Sequence, residues 1–256
     1  MTEERLDLAN ALIMPQFPRS NSYDPAWVIE NLMGPNVLWL TEALTQVMDL
    51  KPGMRVLDLG CGRAISSIFL AKEFDLEVWA TDLWIDASDN WGRIVEAGLS
   101  NQVFPIHAEA HDLPFAHEFF DIMVSMDAYH YFGSDDLYLG YLSRFIRPGG
   151  QIGIVVPGRV EEFQEVPDHL RPYWHAEFWS FHSPSWWANH WTRSGLVEVK
   201  SADLIENGWK QWLRWLEVLD SDDSLYDPQE MEMLKVDRGR NMGFSRIVAT
   251  KGIQPE

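Results

Sequence analysis

Cysteine is nearly missing from this chain: of 256 residues, only Cys61 is one. A single thiol excludes an internal disulfide and any thiolate metal cluster. Long hydrophobic runs are missing as well. No stretch of about 18 consecutive apolar residues occurs, so no membrane-spanning helix is expected. The opening residues, Met1-Thr2-Glu3-Glu4-Arg5, are polar and acidic, unlike a secretory signal, and a cytoplasmic protein is expected. Positive charge is scarce. Lys plus Arg number 20 against 39 Asp plus Glu, a net charge of −19. Such a field repels a polyanion, and no Lys/Arg cluster interrupts it, so no nucleic-acid partner is expected. Solubility is the default meaning of the acidity, and a cationic partner the sharper one.

What is present suits a large α/β domain with an elaborated cap. The chain is 46% hydrophobic, enough for a full core. It carries thirteen tryptophans, and Trp174, Trp179, Trp186, Trp187, Trp191, Trp209, Trp212 and Trp215 crowd into one C-terminal segment. Packing is the commoner fate of such residues. Trp174, Trp179 and Trp209 are the candidates to face a cavity, where an aromatic cage would take an aromatic or quaternary-ammonium ligand.

Strand-like and helix-like segments alternate through the middle of the chain. Strands are expected at 55–59, 77–81, 103–107, 121–125 and 151–156, with helices at 64–74, 86–97 and 135–146 between them. This alternation argues for a parallel sheet with right-handed crossovers. Residues 1–24 read as a loose arm. A short helix follows from Asp24-Pro25, then Gly34-Pro35-Asn36 interrupts, and a helix is expected over 37–48. Beyond residue 158, helices are expected at 185–193, 209–219 and 228–236, with strands at 196–204 and 244–250. The segments group as an N-terminal arm and lid (1–48), a nucleotide-type core (49–158) and an aromatic-rich cap that also holds the last two strands (159–256).

The chemistry concentrates where the first strand ends. Val56-Leu57-Asp58-Leu59 runs into Gly60-Cys61-Gly62-Arg63-Ala64, and the second strand ends in Asp82. Glycines let a backbone approach a ligand closely. A carboxylate ending the second strand can grip two ribose hydroxyls. The dinucleotide fingerprint requires a third glycine where Ile65 stands, which favours a nucleoside without a pyrophosphate.

With three further segments, this pattern resembles the class I S-adenosylmethionine-dependent methyltransferases. Those segments are Glu109-Ala110-His111-Asp112-Leu113-Pro114-Phe115, Phe119-Phe120-Asp121-Ile122-Met123-Val124-Ser125 and Arg147-Pro148-Gly149-Gly150; Ala64 replaces the third glycine of the family turn. The resemblance spans residues 45–158. It implies a Rossmann-like, doubly wound, seven-stranded sheet, mostly parallel with an antiparallel last strand, plus a helical lid and cap. It implies S-adenosyl-L-methionine as cofactor and a small-molecule methyl acceptor. Asp58, Gly60 and Gly62 would meet the methionine part, Asp82 with Leu83 beside it the ribose, and Glu109 and Ala110 the adenine. Trp84 would cover the adenine face or pack in the core. The stretch from Ser125 to Phe132 would line the transferable methyl group. Within it, Tyr129-His130-Tyr131 stands where the family often has Leu-His-His. His130 would serve as a base or as a structural histidine, and Asp127 would orient His130 or hold a substrate ammonium. Tyr23 is a candidate lid over the cofactor.

No metal site is expected. His107 and His111 do not share a helix face, and the other histidines follow no ligand spacing. Arsenite-type methylation, which needs several cysteines, is excluded. Two competing readings are a nicotinamide-dependent oxidoreductase and a non-catalytic cofactor-binding protein. The first explains Gly60, Gly62 and Asp82 but not Ile65 or Leu113-Pro114-Phe115.

Overall fold

A computed structural model describes residues 10–219 and 228–252. Seven strands form one sheet: β1 (Arg55–Leu59), β2 (Glu77–Asp82), β3 (Val103–His107), β4 (Phe120–Met126), β5 (Ile146–Arg159), β6 (Val197–Leu204) and β7 (Met242–Lys251). Their order is β3-β2-β1-β4-β5-β7-β6. β1 to β5 pair in parallel, while β7 runs antiparallel between β5 and β6. The chain winds outward from β1 to β3, then restarts at β4 on the other side of β1. That reversal opens a crevice at the carboxyl ends of β1 and β4, the usual ligand position of such sheets.

The alternation of side chains along the strands feeds two cores. Val56, Val78, Ile122 and Val124 point to one face, under the helices α2 (Val37–Thr45) and α3 (Ile65–Phe74). Leu57, Met123, Ile152 and Ile154 point to the other, under α5 (Tyr138–Leu142) and α6 (Pro184–Arg193). Between these helices in the chain, α1 (Pro25–Glu30) precedes α2, and α4 (Ala87–Glu96) follows β2. Asp24 caps α1 through Ala26 N–H, Asn36 caps α2 through Trp39 N–H, and Ser183 caps α6 through Trp186 N–H.

Two helices form a cap between β6 and β7: α7 (Gly208–Leu219) and α8 (Pro228–Asp237). The apolar stripe of α7 lies on the sheet and on α2. Trp212 stacks on Phe244 of β7 with ring centroids 4.9 Å apart, and Trp215 meets Trp39 edge-on at 6.2 Å. Trp187, Trp191 and Trp215 are almost wholly buried.

Four elements differ from the sequence expectation. The first is the arm. Residues 1–9 lie outside the described residues, but residues 10–24 are packed rather than loose. Leu12, Met14 and Phe17 are buried, and Ser20 donates from its amide and hydroxyl to the buried Glu42 carboxylate at 2.7 and 2.6 Å. A buried carboxylate must find donors, and the arm supplies them. The second is the helix expected over 135–146, which shortens to α5 and a 3-10 turn at Ser143–Phe145. The third is β5, which starts five residues early because Ile146 already pairs with Phe120 before the glycine turn at Gly149. The helix expected over 37–48 ends at Thr45.

Candidate active site

β1 ends in a turn that only glycine fits. Gly60 and Gly62 have φ of 74° and 53°. A Cβ on Gly60 would lie 2.3 Å from Ala128 Cβ, and one on Gly62 would lie 2.9 Å from Met33 Sδ. Two segments press on the turn from opposite sides, and the bare backbone leaves room between them. Gly60 and Cys61 donate their amides to Thr81 O at 2.8 and 3.2 Å, which ties the turn to β2. Ala64 also takes the left-handed region, with φ 59°, at the position of the family's third glycine.

Asp82 closes β2 and organises the loops on both sides. One carboxylate oxygen accepts Gly62 N–H at 2.8 Å; the other accepts Trp84 and Ile85 N–H at 2.7 and 3.0 Å. Beyond β3, Glu109 turns its carboxylate onto His111, with Oε1 2.8 Å from the ring Nδ1 and Oε2 accepting the His111 amide at 2.9 Å. That hydrogen bond draws the Glu109 pKa below its ordinary value. Tyr138 donates to Ala110 O at 3.1 Å and Tyr141 accepts Leu113 N–H at 2.6 Å, which fixes this loop on α5.

Gly60, Gly62, Asp82, Leu83, Glu109, Ala110 and Asp127 line one cavity of about 320 Å³. Asp58, Ser125 and His130 stand behind its wall. Asp58 is fully buried and accepts the Ser66 and Ser67 hydroxyls at 2.6 Å each, while its second oxygen has no hydrogen-bond partner. Burial pushes its pKa up to about 6, against the lowering pull of the two serines. Ser125 is fully buried with an unpartnered hydroxyl. His130 is 1% exposed, with its ring 4.1 Å from Tyr131 and 5.3 Å from Phe181. Burial lowers its pKa to about 3, so the imidazole is neutral at physiological pH. Asp127 makes no hydrogen bond to His130. Its carboxyl is raised well above the ordinary range, first by burial and then by the charge of Glu230.

Other members of the site carried little signal in the sequence. Met33, Gly34 and Pro35, which read only as a break between helices, form a strap along the cavity. Trp215 Nε1 donates to Gly34 O at 2.9 Å and holds the strap from the cap. Asn90 of α4 donates to Gly62 O at 2.9 Å, and Arg93 donates to Asn31 Oδ1 at 2.8 Å. Trp84 is neither core nor buried: it stands 71% exposed at the rim, 6.1 Å from Tyr131. Tyr23 does not cover the cavity. It stacks on Trp27, packs at a tilt against Phe69 and donates to Glu73 at 3.2 Å. Trp174 and Trp179 surround the Arg159 guanidinium instead, and Trp209 is absent from the cavity wall. Among the described residues no group of three or more His, Cys, Asp or Glu side chains is placed to hold a metal ion.

A glycine turn after β1, an acid ending β2 and a Glu-Ala pair after β3, all on one cavity at the reversal of strand order, define a nucleoside-cofactor-binding α/β protein. A family model described as a methyltransferase domain matches residues 56–150. A demethylmenaquinone methyltransferase of Listeria welshimeri is 28% identical over 225 residues, 84% of this chain and 91% of that protein. A glycine/sarcosine/dimethylglycine N-methyltransferase of Actinopolyspora halophila is 27% identical over 68% of this chain, which spans only 31% of that relative's length. A geranyl diphosphate C-methyltransferase from Streptomyces coelicolor, solved with S-adenosyl-L-homocysteine, shares the fold with a TM-score of 0.68 at 16% identity, covering 98% of each chain. Residues 56–150 are thus similar to methyltransferase domains, and the chain shares the fold of a methyltransferase solved with S-adenosyl-L-homocysteine. No described helix is long and apolar enough to cross a membrane.

Proposed function

We propose that this protein transfers a methyl group from S-adenosyl-L-methionine to a small organic acceptor. The observation that carries this reading is the cavity in which a glycine cradle, Asp82 and the Glu109-Ala110 pair converge. The residues present fit the cofactor: a Cβ would fill the cradle at Gly60 and Gly62, and a carboxylate stands where two hydroxyls can be gripped. When bound, the cofactor supplies an electrophilic sulfonium methyl. Gly60 and Gly62 would bring their backbone to its amino-acid end, Asp82 and Leu83 would hold the ribose, and Glu109 and Ala110 the base. Asp58, behind the turn, would fix the start of α3 through Ser66 and Ser67 and so the cradle itself. Ser125 closes the wall beneath. Asp127 is the ionisable side chain at the acceptor end, and His130 would set the position of Tyr131 through ring contact.

Both curated relatives are methyltransferases of small molecules, and the acidity of the chain opposes a nucleic-acid acceptor. The protein's main contribution to such a reaction is alignment of the two partners in a closed, water-poor cavity. Calorimetric titration with S-adenosylmethionine and, separately, with NAD tests the reading. Binding of the former alone in the micromolar range is expected; binding of NAD alone would overturn it. Asp82→Asn keeps the size of the side chain but weakens its hold on hydroxyls and loop amides. It is expected to lower cofactor affinity by about 100-fold, the loss of charge-assisted hydrogen bonds of about 3 kcal/mol.

A further inference from the structure

Between the glycine turn and α3 stands Arg63, the only Lys or Arg among the described residues that line the cofactor cavity. Three carboxylates share that wall: Asp82, Glu109 and Asp127. Two of them are engaged, Asp82 by three backbone amides and Glu109 by His111. Among the described residues no carboxylate forms an ion pair with Arg63. The half-buried guanidinium commits one of its donors, Nη1, to the carbonyl of Glu30 at 2.7 Å, and its other donors stay available.

That carbonyl belongs to the last residue of α1, just before the strap. The strap is a thin wall. Its far side borders a second cavity of about 210 Å³, formed with Leu32, Trp212, Leu216 and Leu219, so packing against the cap is incomplete there. Hydrogen bonds from three other elements fix this stretch: Arg63 on Glu30, Arg93 on Asn31 and Trp215 on Gly34. Met33 lies against the glycine turn, so close that a Cβ on Gly62 would come within 2.9 Å of its Sδ. The turn and the strap thus meet beside Arg63.

S-adenosyl-L-methionine carries two positive groups, a sulfonium and an ammonium, and one carboxylate. An acidic wall on a chain of net charge −19 suits the two cations and opposes the carboxylate. A guanidinium with free donors is the side chain that binds a carboxylate through two parallel hydrogen bonds. We propose that Arg63 takes the carboxylate of the cofactor's amino-acid end while Nη1 stays on Glu30, and that this one side chain couples the carboxylate to the position of α1 and the strap. The proposal rests on the methyltransferase reading of the cavity. It makes Arg63 the determinant that separates the cofactor from adenine nucleosides without a carboxylate.

S-adenosylmethionine and its decarboxylated form differ by that carboxylate alone. Each is titrated calorimetrically into the full chain, native, Arg63→Gln and Arg63→Lys. The native protein is expected to bind the carboxylate form at least about 10-fold more tightly, a difference of about 1.4 kcal/mol. Arg63→Gln should bring the two affinities to within about 2-fold of each other and change that of the decarboxylated form little, because the lost contact belongs to the carboxylate. Arg63→Lys keeps the charge but not the planar fork, and should recover part of the ratio. Hydrogen exchange over residues 25–36 reads the coupling. The carboxylate form should protect these amides more than the decarboxylated form does, and Arg63→Gln should abolish the difference. Equal native affinities, a ratio that survives Arg63→Gln, equal weakening of both ligands in that variant, or equal protection by both ligands in the native protein would overturn the proposal. Binding of neither ligand by the native protein would overturn the methyltransferase reading itself, so the two failures are distinguishable.

Discussion

At the scale of single residues, two buried titratable groups pull stability in opposite directions with pH. Asp58 has its folded pKa raised from 3.8 to about 6 by burial. A raised carboxyl binds its proton more tightly in the fold, so its stabilisation is complete below about pH 4 and is lost as pH rises through about 6, about 3 kcal/mol in all. His130 has its pKa lowered from 6.5 to about 3. The unfolded chain takes up that proton first, so stability present above about pH 6.5 is lost as pH falls toward 3. The two slopes offset each other in the native protein. Asp58→Asn should therefore make urea midpoints fall more steeply than in the native protein between pH 6 and 4, and His130→Gln should make them fall less steeply or rise. Parallel curves for all three proteins would refute the assignment. The roles of Asp58 and His130 were legible in sequence only as positions in a motif. Their burial behind the cavity wall was not, because it depends on Ser66 and Ser67 in one case and on Phe181, far along the chain, in the other.

At the scale of elements, the turn after β1 and the strap carry the sharpest expectations. Gly60→Ala adds a methyl group 2.3 Å from Ala128 Cβ at a φ of 74°. Clash and left-handed backbone together should cost about 2–4 kcal/mol and about 100-fold or more in cofactor affinity. Circular-dichroism melts and calorimetry measure both; a native-like melt with native affinity would remove the turn from the site. Trp215→Phe keeps an aromatic ring against Trp39 but leaves Gly34 O without its donor. Gly34 is half-buried on a cavity wall, so the lost bond should cost about 0.5–1.5 kcal/mol. Because Met33 and Pro35 line both cavities, the variant should also weaken ligand binding there. An unchanged affinity would mean that the strap holds its place without the tryptophan. The glycine turn was readable from Gly60-Cys61-Gly62 alone, because it follows from a few adjacent residues. The strap was not, since Gly34-Pro35 signals only a break in a helix, and its function comes from contacts with α7 and with the loop after β4.

At the scale of the whole molecule, charge and topology dominate. With 39 acidic against 20 basic side chains, the folded chain repels itself. Raising salt from about 20 mM to about 200 mM shortens the screening length several-fold and should raise the melting temperature by a few degrees. No change, or a fall, would mean that local ion pairs such as Arg246–Asp203 offset the repulsion already. The antiparallel placement of β7 between β5 and β6 brings the cap helices back over α2. That return puts Trp212, Trp215 and Glu230 beside the strap.

Local information alone determined much of this protein. The alternation of strands and helices, the glycine turn, the acid ending β2 and the Glu109-Ala110 segment are each encoded within a few residues, because backbone conformation and side-chain period act at short range. The tertiary structure alone decided the packing of the arm on Glu42, the early start of β5, the placement of Tyr23 away from the cavity and the bond from Trp215 to the strap at Gly34. These depend on which distant segments the sheet order makes neighbours. A buried charge or an open backbone edge takes its partner from whatever the fold brings near, and that partner leaves no mark in the adjacent sequence.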